Sequence, residues 1–150
     1  SSIIYEGELA VVIDETCRNV AAEDARSVIK GYTCANDITA TDYGESDWAM
    51  VRAKGSDTFT PLGPYLYTDV DDSEPNLAVK TYVNGELVSA NNTRNLIYSV
   101  GEIIEEVTSY MTLNEEDVIL TGAPGNGELQ SGDSVNVEVE SVGKLHNSVK

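Results

Sequence analysis

The spacing of apolar positions along the chain predicts a fold built mainly from β-strands. Residues 3–13 form an almost continuous apolar run that Glu6 and Glu8 interrupt, and this run predicts the first strand. Near the end of the chain, Val135, Val137 and Val139 alternate with polar residues, which is typical of a strand with one buried face. The remaining strands are predicted at residues 32–39, 65–68, 117–122 (a buried strand), 134–141 and 144–149.

A tight hairpin is predicted in the middle of the chain. Residues 77–83 and 86–90 have the composition of strands and are separated only by Asn84 and Gly85. Asn-Gly is the residue pair best suited to a type I′ turn, because both positions of that turn need a positive φ angle. An acidic turn over residues 69–75 precedes the hairpin.

Two helices are predicted, one on each side of the hairpin in sequence. Ser99 and Glu102 have the spacing of a capping box, and an apolar stripe after them predicts an amphipathic helix through about Met111. Residues 19–30 predict a shorter helix with small and apolar residues on one side, ending at Gly31.

The acidic residues of the first strand are the first candidates for chemistry. Side chains alternate along a strand, so Glu6 and Glu8 are predicted on one face, about two rises of roughly 3.3 Å apart. On a one-sided sheet both carboxylates would face solvent. If they are half-buried, they need a positive partner, and a divalent cation would provide one. Asp37 lies at the end of the second strand, where sheets commonly present functional groups.

A long irregular segment, residues 40–64, carries two of the chain's nine basic residues close together. Segments of this length in compact domains are usually functional or disordered, and Trp48, Arg52 and Lys54 argue against disorder. Arg52 and Lys54 either form an anion site or pair with neighbouring acids. The glycines of residues 122–127 allow close approach to a ligand, although ordinary turns have the same composition.

Composition and charge narrow the class of protein. The 150 residues fit a single domain, and no apolar run reaches the length of a membrane span. With 26 acidic and nine basic residues the net charge is -17, so the surface should repel nucleic acid and anionic membranes. We interpret the excess of acid as adaptation to high salt, because screening relieves the self-repulsion; the alternative is a specific cation-binding role.

The cysteines and the absence of a signal peptide pattern suggest a cytoplasmic protein. Cys17 and Cys34 are isolated in sequence, which favours reduced core residues over a disulfide or a metal site. The only histidine, His146, lies in the last predicted strand, and we expect it on the surface.

Eight spaced motifs resemble the fumarylacetoacetate hydrolase family, in its short branch of hydratases, decarboxylases and isomerases. They occur in collinear order: YEGELA (5–10), ANDITA (35–40), RAKG (52–55), PLGP (61–64), VNGE (83–86), MTL (111–113), DVILTG (117–122) and SGD (131–133). The resemblance implies an α+β, mainly β fold, a mixed β-sandwich roll with a few short helices. It also implies a homodimer.

The resemblance implies a metal site and a substrate class. By position, Glu6, Glu8 and Asp37 would bind one Mg²⁺ or Mn²⁺, and Lys54 would be the active-site lysine that pairs with substrate carboxylate or enolate charge. Carboxylates with open water positions suit such a hard cation. The family's chemistry proceeds through a metal-stabilised enolate of a 2-oxo acid. The predicted catalytic residue is Lys54, and the predicted substrate-binding residues are Thr41, Arg52, Lys54, Gly122 and Ala123.

Departures from the family pattern leave two functions open. Thr41 stands where the family usually has an arginine, Ala123 where many members have a threonine, and the segment between Asp37 and Lys54 is short. Full-length members have an upstream His-Glu pair, whereas these 150 residues begin at the metal strand. The leading expectation is a metal-dependent isomerase, decarboxylase or acylpyruvate hydrolase acting on 2-oxo or 2-hydroxydienoate acids. The alternative is a metal-binding but catalytically silent relative.

Overall fold

The computed structural model describes residues 2–43, 46–69 and 75–150. In these ranges the chain forms the strands β1 (Ile3–Tyr5), β2 (Gly7–Ile13), β3 (Ile29–Asn36), β4 (Thr39–Ala40), β5 (Leu62–Tyr67), β6 (Ala78–Val83), β7 (Glu86–Asn92), β8 (Val118–Leu120), β9 (Gly127–Leu129), β10 (Ser134–Val139) and β11 (Gly143–Ser148). The α-helices are α1 (Val51–Lys54) and α2 (Val100–Tyr110), and 3₁₀ helices occur at Ala22–Val28, Thr41–Tyr43 and Thr93–Asn95.

The strands assemble into three antiparallel sheets. Their orders are β4-β1-β9, β11-β10-β6-β7 and β5-β3-β2-β8. The main core lies between the second and third sheets, where Leu9 and Val11 of β2 belong to the same buried cluster as Val137 and Val139 of β10. The predicted class, α+β and mainly β with a few short helices, is confirmed.

The apolar run predicted one continuous first strand, and this prediction is wrong. The chain breaks at Glu6, and β1 and β2 join different sheets. At the break the Asn36 side-chain oxygen accepts the Glu6 N–H at 3.0 Å. Gly7 then packs so closely that an added Cβ would lie 2.2 Å from the Thr81 hydroxyl and about 3 Å from Val137. Contacts between sheets therefore determine the position of the break. The spacing of apolar residues in the sequence does not reveal such contacts.

The helix predicted over residues 19–30 is wrong in type and length. A 3₁₀ helix occupies Ala22–Val28, and β3 begins directly at Ile29. Gly31 does not end a helix but lies inside β3, where an added Cβ would lie 2.4 Å from the Tyr67 backbone oxygen. Pairing of Ile29 with Ile13 of β2 draws these residues into the sheet and overrides the helical pattern.

The hairpin and the second helix are confirmed. Asn84 and Gly85 have φ angles of 52° and 84° between β6 and β7, as a type I′ turn requires. Ser99 caps α2: its hydroxyl accepts the Glu102 N–H, and the Glu102 carboxylate accepts the Ser99 N–H. These motifs are local, so the sequence specifies them without help from distant contacts.

The predicted strand 32–39 is divided, because β3 ends at Asn36 and Thr39 begins β4 of another sheet. Other strand predictions are confirmed with adjusted limits. The alternating valines of β10 are all buried, whereas β8 is only half-buried, with Val118 38% exposed, so the prediction of a buried strand there is wrong. The third predicted strand, residues 65–68, begins earlier, at Leu62. Cys17 and Cys34 are both free thiols. Most of the predicted acidic turn, residues 70–74, lies outside the described residues.

None of the described helices has the length and apolar character needed to cross a membrane.

Candidate active site

The register of the third sheet brings two of the predicted acids to one end of adjacent strands. Gly7 of β2 pairs with Asn36 of β3, and the Asp37 N–H donates to the Glu6 carbonyl oxygen at 2.8 Å. The next residue of β2, Glu8, pairs with Ala35. Acids that are about 30 residues apart in sequence thus become neighbours because β2 and β3 are antiparallel partners.

Lys54 connects two of these acids. Its ammonium nitrogen lies 2.6 Å from Asp37 Oδ2 and 2.9 Å from Glu6 Oε2. The lysine ends the short helix α1, which packs against β4. The structure therefore brings together the predicted lysine and two of the three predicted metal ligands.

Glu8 is the most deeply buried acid of the group. Its residue is 4% exposed, and one carboxylate oxygen accepts the Gly122 N–H at 2.5 Å. Burial raises the pKa of Glu8 from 4.5 to about 7; the Gly122 hydrogen bond and Lys54 oppose this shift, while Asp37 and Glu6 add to it. A carboxylate this buried is costly in its charged form unless more positive charge is supplied.

Lys54 stays charged in this setting. Burial acts to lower the pKa of its ammonium, but the hydrogen bonds and charges of Asp37 and Glu6 outweigh burial, and the pKa is raised. Thr39 completes the cluster, since its hydroxyl donates to Glu6 Oε2 at 3.2 Å. Lys54 thus supplies a positive charge at the centre of an acidic site.

Three residues that support this geometry were not singled out from the sequence. Asn36 is 1% exposed and holds the Glu6 N–H, and Thr39 bonds the Glu6 carboxylate. Asp47 accepts the backbone N–H groups of Arg52 and Ala53, and so fixes the start of α1. Asn36 and Thr39 both lie in the ANDITA motif, which was the available signal; Asp47, shortly before a basic segment, gave none.

Two of the predicted substrate-binding residues, and His146, contact groups other than the carboxylates of the site. Arg52 stacks on the Tyr43 ring, with its guanidinium carbon 4.3 Å from the ring centre. Thr41 is exposed, and its hydroxyl donates to the Ser2 carbonyl oxygen at 3.2 Å. His146 is exposed in β11, as predicted, and lies 2.9 Å from the Asn136 side-chain oxygen.

Gly122 and Ala123 lie at the wall of a pocket next to Glu8. Gly122 has a φ of +103°, a value that favours glycine, and this conformation places its N–H against Glu8. The pocket has a volume of about 270 Å³. Its lining is mostly apolar and carries side-chain amides: Leu9, Val79, Asn91, Asn95, Leu96, Ile103 and Pro124.

The donor set suits a hard divalent cation in its chemistry. Glu6, Glu8 and Asp37 offer carboxylate oxygens, the ligands that Mg²⁺ and Mn²⁺ prefer, and Glu8 has a charge that burial leaves undercompensated. As they are placed, no three acidic, histidine or cysteine side chains in the described part of the chain converge into a metal-binding group. The cation that the structure does place there is the Lys54 ammonium.

Comparison with known proteins identifies the family. Residues 1–150 match the family described as Fumarylacetoacetate (FAA) hydrolase C-terminal. The chain therefore belongs to the fumarylacetoacetate hydrolase family, as the spaced motifs predicted.

Relatives within this family include named enzymes. The chain is 39% identical over 158 residues to Oxaloacetate tautomerase YisK of Bacillus subtilis, covering 99% of this chain and 52% of the relative. It is 42% identical over 147 residues to the Homoprotocatechuate catabolism bifunctional isomerase/decarboxylase of Escherichia coli, covering 97% and 34%.

A solved structure has the same fold. The crystal structure of 5-carboxymethyl-2-hydroxymuconate delta-isomerase from Mycobacterium smegmatis matches with a TM-score of 0.94 and 43% identity, over 99% of this chain and 59% of that chain. The chain spans between 34% and 61% of the length of four of the curated relatives that it matches. The match thus covers nearly all of this chain, but only part of each relative.

Proposed function

We propose that this chain binds one Mg²⁺ or Mn²⁺ through Glu6, Glu8 and Asp37 and enolises 2-oxo acids. The observation that carries the proposal is the Lys54 ammonium, held against two of these three carboxylates at 2.6 and 2.9 Å. Enolisation moves a proton from the carbon beside the keto group to a base, here solvent water, and leaves negative charge on the keto oxygen. Positive groups fixed near that oxygen lower the barrier, because they stabilise charge that develops in the transition state.

The residues divide this work between them. A divalent cation, when bound, would polarise the keto group as a Lewis acid. Lys54 would donate a hydrogen bond to the substrate carboxylate or to the enolate oxygen. The pocket beside Gly122 and Ala123 would take the remainder of the substrate. If the substrate has a second negatively charged group, Arg52 would have to move away from the Tyr43 ring to bind it.

Oxaloacetate is the first substrate to test. One relative is named an oxaloacetate tautomerase and another a bifunctional isomerase/decarboxylase, and both reactions can pass through an enolate. Tautomerisation is the least demanding of these reactions, since it breaks no carbon–carbon bond. Decarboxylation and acylpyruvate hydrolysis are the further reactions that the same enolate permits.

The test is oxaloacetate tautomerisation with Mg²⁺ and with EDTA, followed by the ultraviolet absorbance of the enol. We expect Mg²⁺-dependent acceleration that Lys54→Ala reduces sharply. His146→Ala should leave the rate unchanged, because His146 is exposed and bonded to Asn136. Saturable Mg²⁺ binding without acceleration of any 2-oxo acid would instead identify a catalytically silent metal-binding module.

We also propose that the chain acts as a homodimer. Large apolar side chains are exposed on two strands: Leu62, Tyr65 and Leu66 on β5, and Leu87 and Val88 on β7. Large apolar side chains grouped on one exposed strand commonly mark a protein interface. Light scattering during size-exclusion chromatography should give twice the 16.1 kDa chain mass, and a monomer at every concentration would contradict this proposal.

A further inference from the structure

Lys54 contacts one oxygen on each of two carboxylates that the proposed metal would also use. Its ammonium donates to Asp37 Oδ2 and to Glu6 Oε2. Mg²⁺ binds carboxylate oxygens at about 2.0–2.1 Å in near-ideal octahedral geometry. Each carboxylate has a second oxygen, but a cation bound to these two groups would share their negative charge with the ammonium.

Two positive groups in this space would repel each other strongly. The side chains of Glu6 and Asp37 are 22% and 16% exposed, and that of Lys54 is 33% exposed, so water screens the repulsion only in part. At the same time, the charged carboxylates of Glu6 and Asp37 repel each other and are stabilised by a positive partner. Lys54 is that partner in the present structure.

We propose that Lys54 is an internal counter-ion that stands in for the metal in the metal-free protein, and that a divalent cation must displace its ammonium to bind. This inference rests on the proposed metal site. Once displaced, the ammonium is free to bind the substrate's negative charge, so the metal has to bind before the substrate. Binding of the metal thereby makes Lys54 available to bind the substrate.

The surroundings of Lys54 allow its side chain to move while its backbone stays fixed. The neighbouring Ala53 is completely buried, and the Lys54 N–H donates to the Met50 carbonyl oxygen at 2.9 Å. Asp47 accepts two further N–H groups of α1. The lysine stem has four flexible carbons and a side chain one-third exposed, so the ammonium can turn towards solvent or substrate.

The chain offers a matched control. Lys30 also contacts two carboxylates, with its ammonium 3.5 Å from Glu115 and 3.2 Å from Glu116. Replacing Lys30 or Lys54 by methionine removes the same unit of charge from the protein. Any difference between the two variants in metal binding therefore reports the position of the lysine and not the net charge.

Calorimetric titration with Mg²⁺, without substrate, tests the proposal. Lys54→Met should bind Mg²⁺ about tenfold or more tightly than the wild-type protein, because no ammonium has to be displaced. Lys30→Met should bind as the wild type does. Equal or weaker Mg²⁺ binding by Lys54→Met would overturn the proposal, since the lysine would then be neutral towards the metal or support it.

Thermal unfolding gives a second measurement that does not depend on calorimetric heats. In EDTA, Lys54→Met should melt below the wild-type protein, because three clustered carboxylates lose their counter-ion; saturating Mg²⁺ should raise its melting temperature more than that of the wild type. Equal Mg²⁺ shifts in the two proteins would overturn the proposal. A wild type that enolises oxaloacetate with Mg²⁺ while Lys54→Met binds the ion less tightly would refute the counter-ion role alone. Tighter Mg²⁺ binding by Lys54→Met, together with a wild-type protein that does not enolise oxaloacetate, would refute only the proposed activity.

Discussion

Two lysines of this chain each contact a pair of carboxylates, in very different surroundings. Lys54 contacts Glu6 and Asp37, whose side chains are largely shielded from water. The second cluster, around Lys30, lies on the outer surface. Both clusters carry one positive and two negative charges, and the lysine side chains are similarly exposed, at 33% for Lys54 and 27% for Lys30. The difference between the clusters therefore reflects the burial of the carboxylates.

The surface cluster shows what the acidic composition does where water reaches it. Glu115 and Glu116 are 65% and 75% exposed, and solvent and salt screen their interaction with Lys30. In the Lys54 cluster, water screens the charges less, so specific partners have to balance them. The buried Glu8 next to this cluster is a further acidic group. An acidic sequence becomes a candidate cation site only where the fold removes water from its carboxylates.

The largest effect should come from removing one buried acid. Glu8→Gln should weaken Mg²⁺ binding by about 100-fold or more, because an amide supplies no charge to offset the desolvation of the ion. The matched surface variant Glu116→Gln should leave the affinity unchanged. Calorimetric titration measures both, and equal affinity in Glu8→Gln and wild type would remove Glu8 from the ligand set.

The second effect is a pH dependence that belongs to the buried cluster alone. The pKa of Glu8 is raised from 4.5 to about 7, so between these values the folded protein binds a proton that the unfolded chain has lost. The stability of the metal-free protein should therefore fall as pH rises from about 4.5 to 7, by about 3 kcal/mol from this group.

Urea unfolding in EDTA at several pH values checks this prediction. The free energy of unfolding of Glu8→Gln serves as the reference, because glutamine does not titrate. The wild-type value should drop relative to this reference as pH rises. Curves that run parallel for the two proteins would show that Glu8 keeps an ordinary pKa.

A smaller effect should follow from loss of a supporting residue. Asn36→Ala leaves the Glu6 N–H without its side-chain acceptor, and loss of a partner by a buried polar group costs about 1–3 kcal/mol. Asn95→Ala, at an exposed position, should change stability by less than about 0.5 kcal/mol. Denaturant unfolding measures the stability of both variants. Similar losses in the free energy of unfolding would show that the Asn36 hydrogen bond contributes no more than an exposed one.

The smallest effect per charge should be that of salt on the surface acids. As KCl rises from about 0.1 M to 1 M, the Debye length falls from roughly 10 to 3 Å, which weakens repulsion among exposed carboxylates. The melting temperature should rise by several degrees, in keeping with a net charge of -17. A melting temperature that stays flat across this range would contradict the interpretation of the composition as adaptation to high salt.

Local signals in the sequence predicted the elements that local contacts stabilise. The Asn84-Gly85 turn and the Ser99 capping box form through residues adjacent in sequence, and both are present as predicted. The break at Glu6 and the position of Gly31 inside β3 depend on contacts with distant strands. An apolar run in the sequence looks the same whether or not the chain passes from one sheet to another.

The candidate site was predictable in its members but not in its internal contacts. The spaced family motifs pointed to Glu6, Asp37 and Lys54, which the structure brings together. The ion pairs that join them, and the depth at which Glu8 is buried, follow from the packing of α1 against β4 and from the pairing of β8 with β2. No spacing in the sequence encodes those distances.

The most direct test of the account is a crystal structure of the protein with Mn²⁺, with the ion located by its anomalous scattering. The account predicts one strong peak bound by carboxylate oxygens of Glu6, Glu8 and Asp37, with the Lys54 ammonium no longer between Glu6 and Asp37. A peak at another position, or an unoccupied site with Lys54 still bridging the two carboxylates at saturating Mn²⁺, would contradict it.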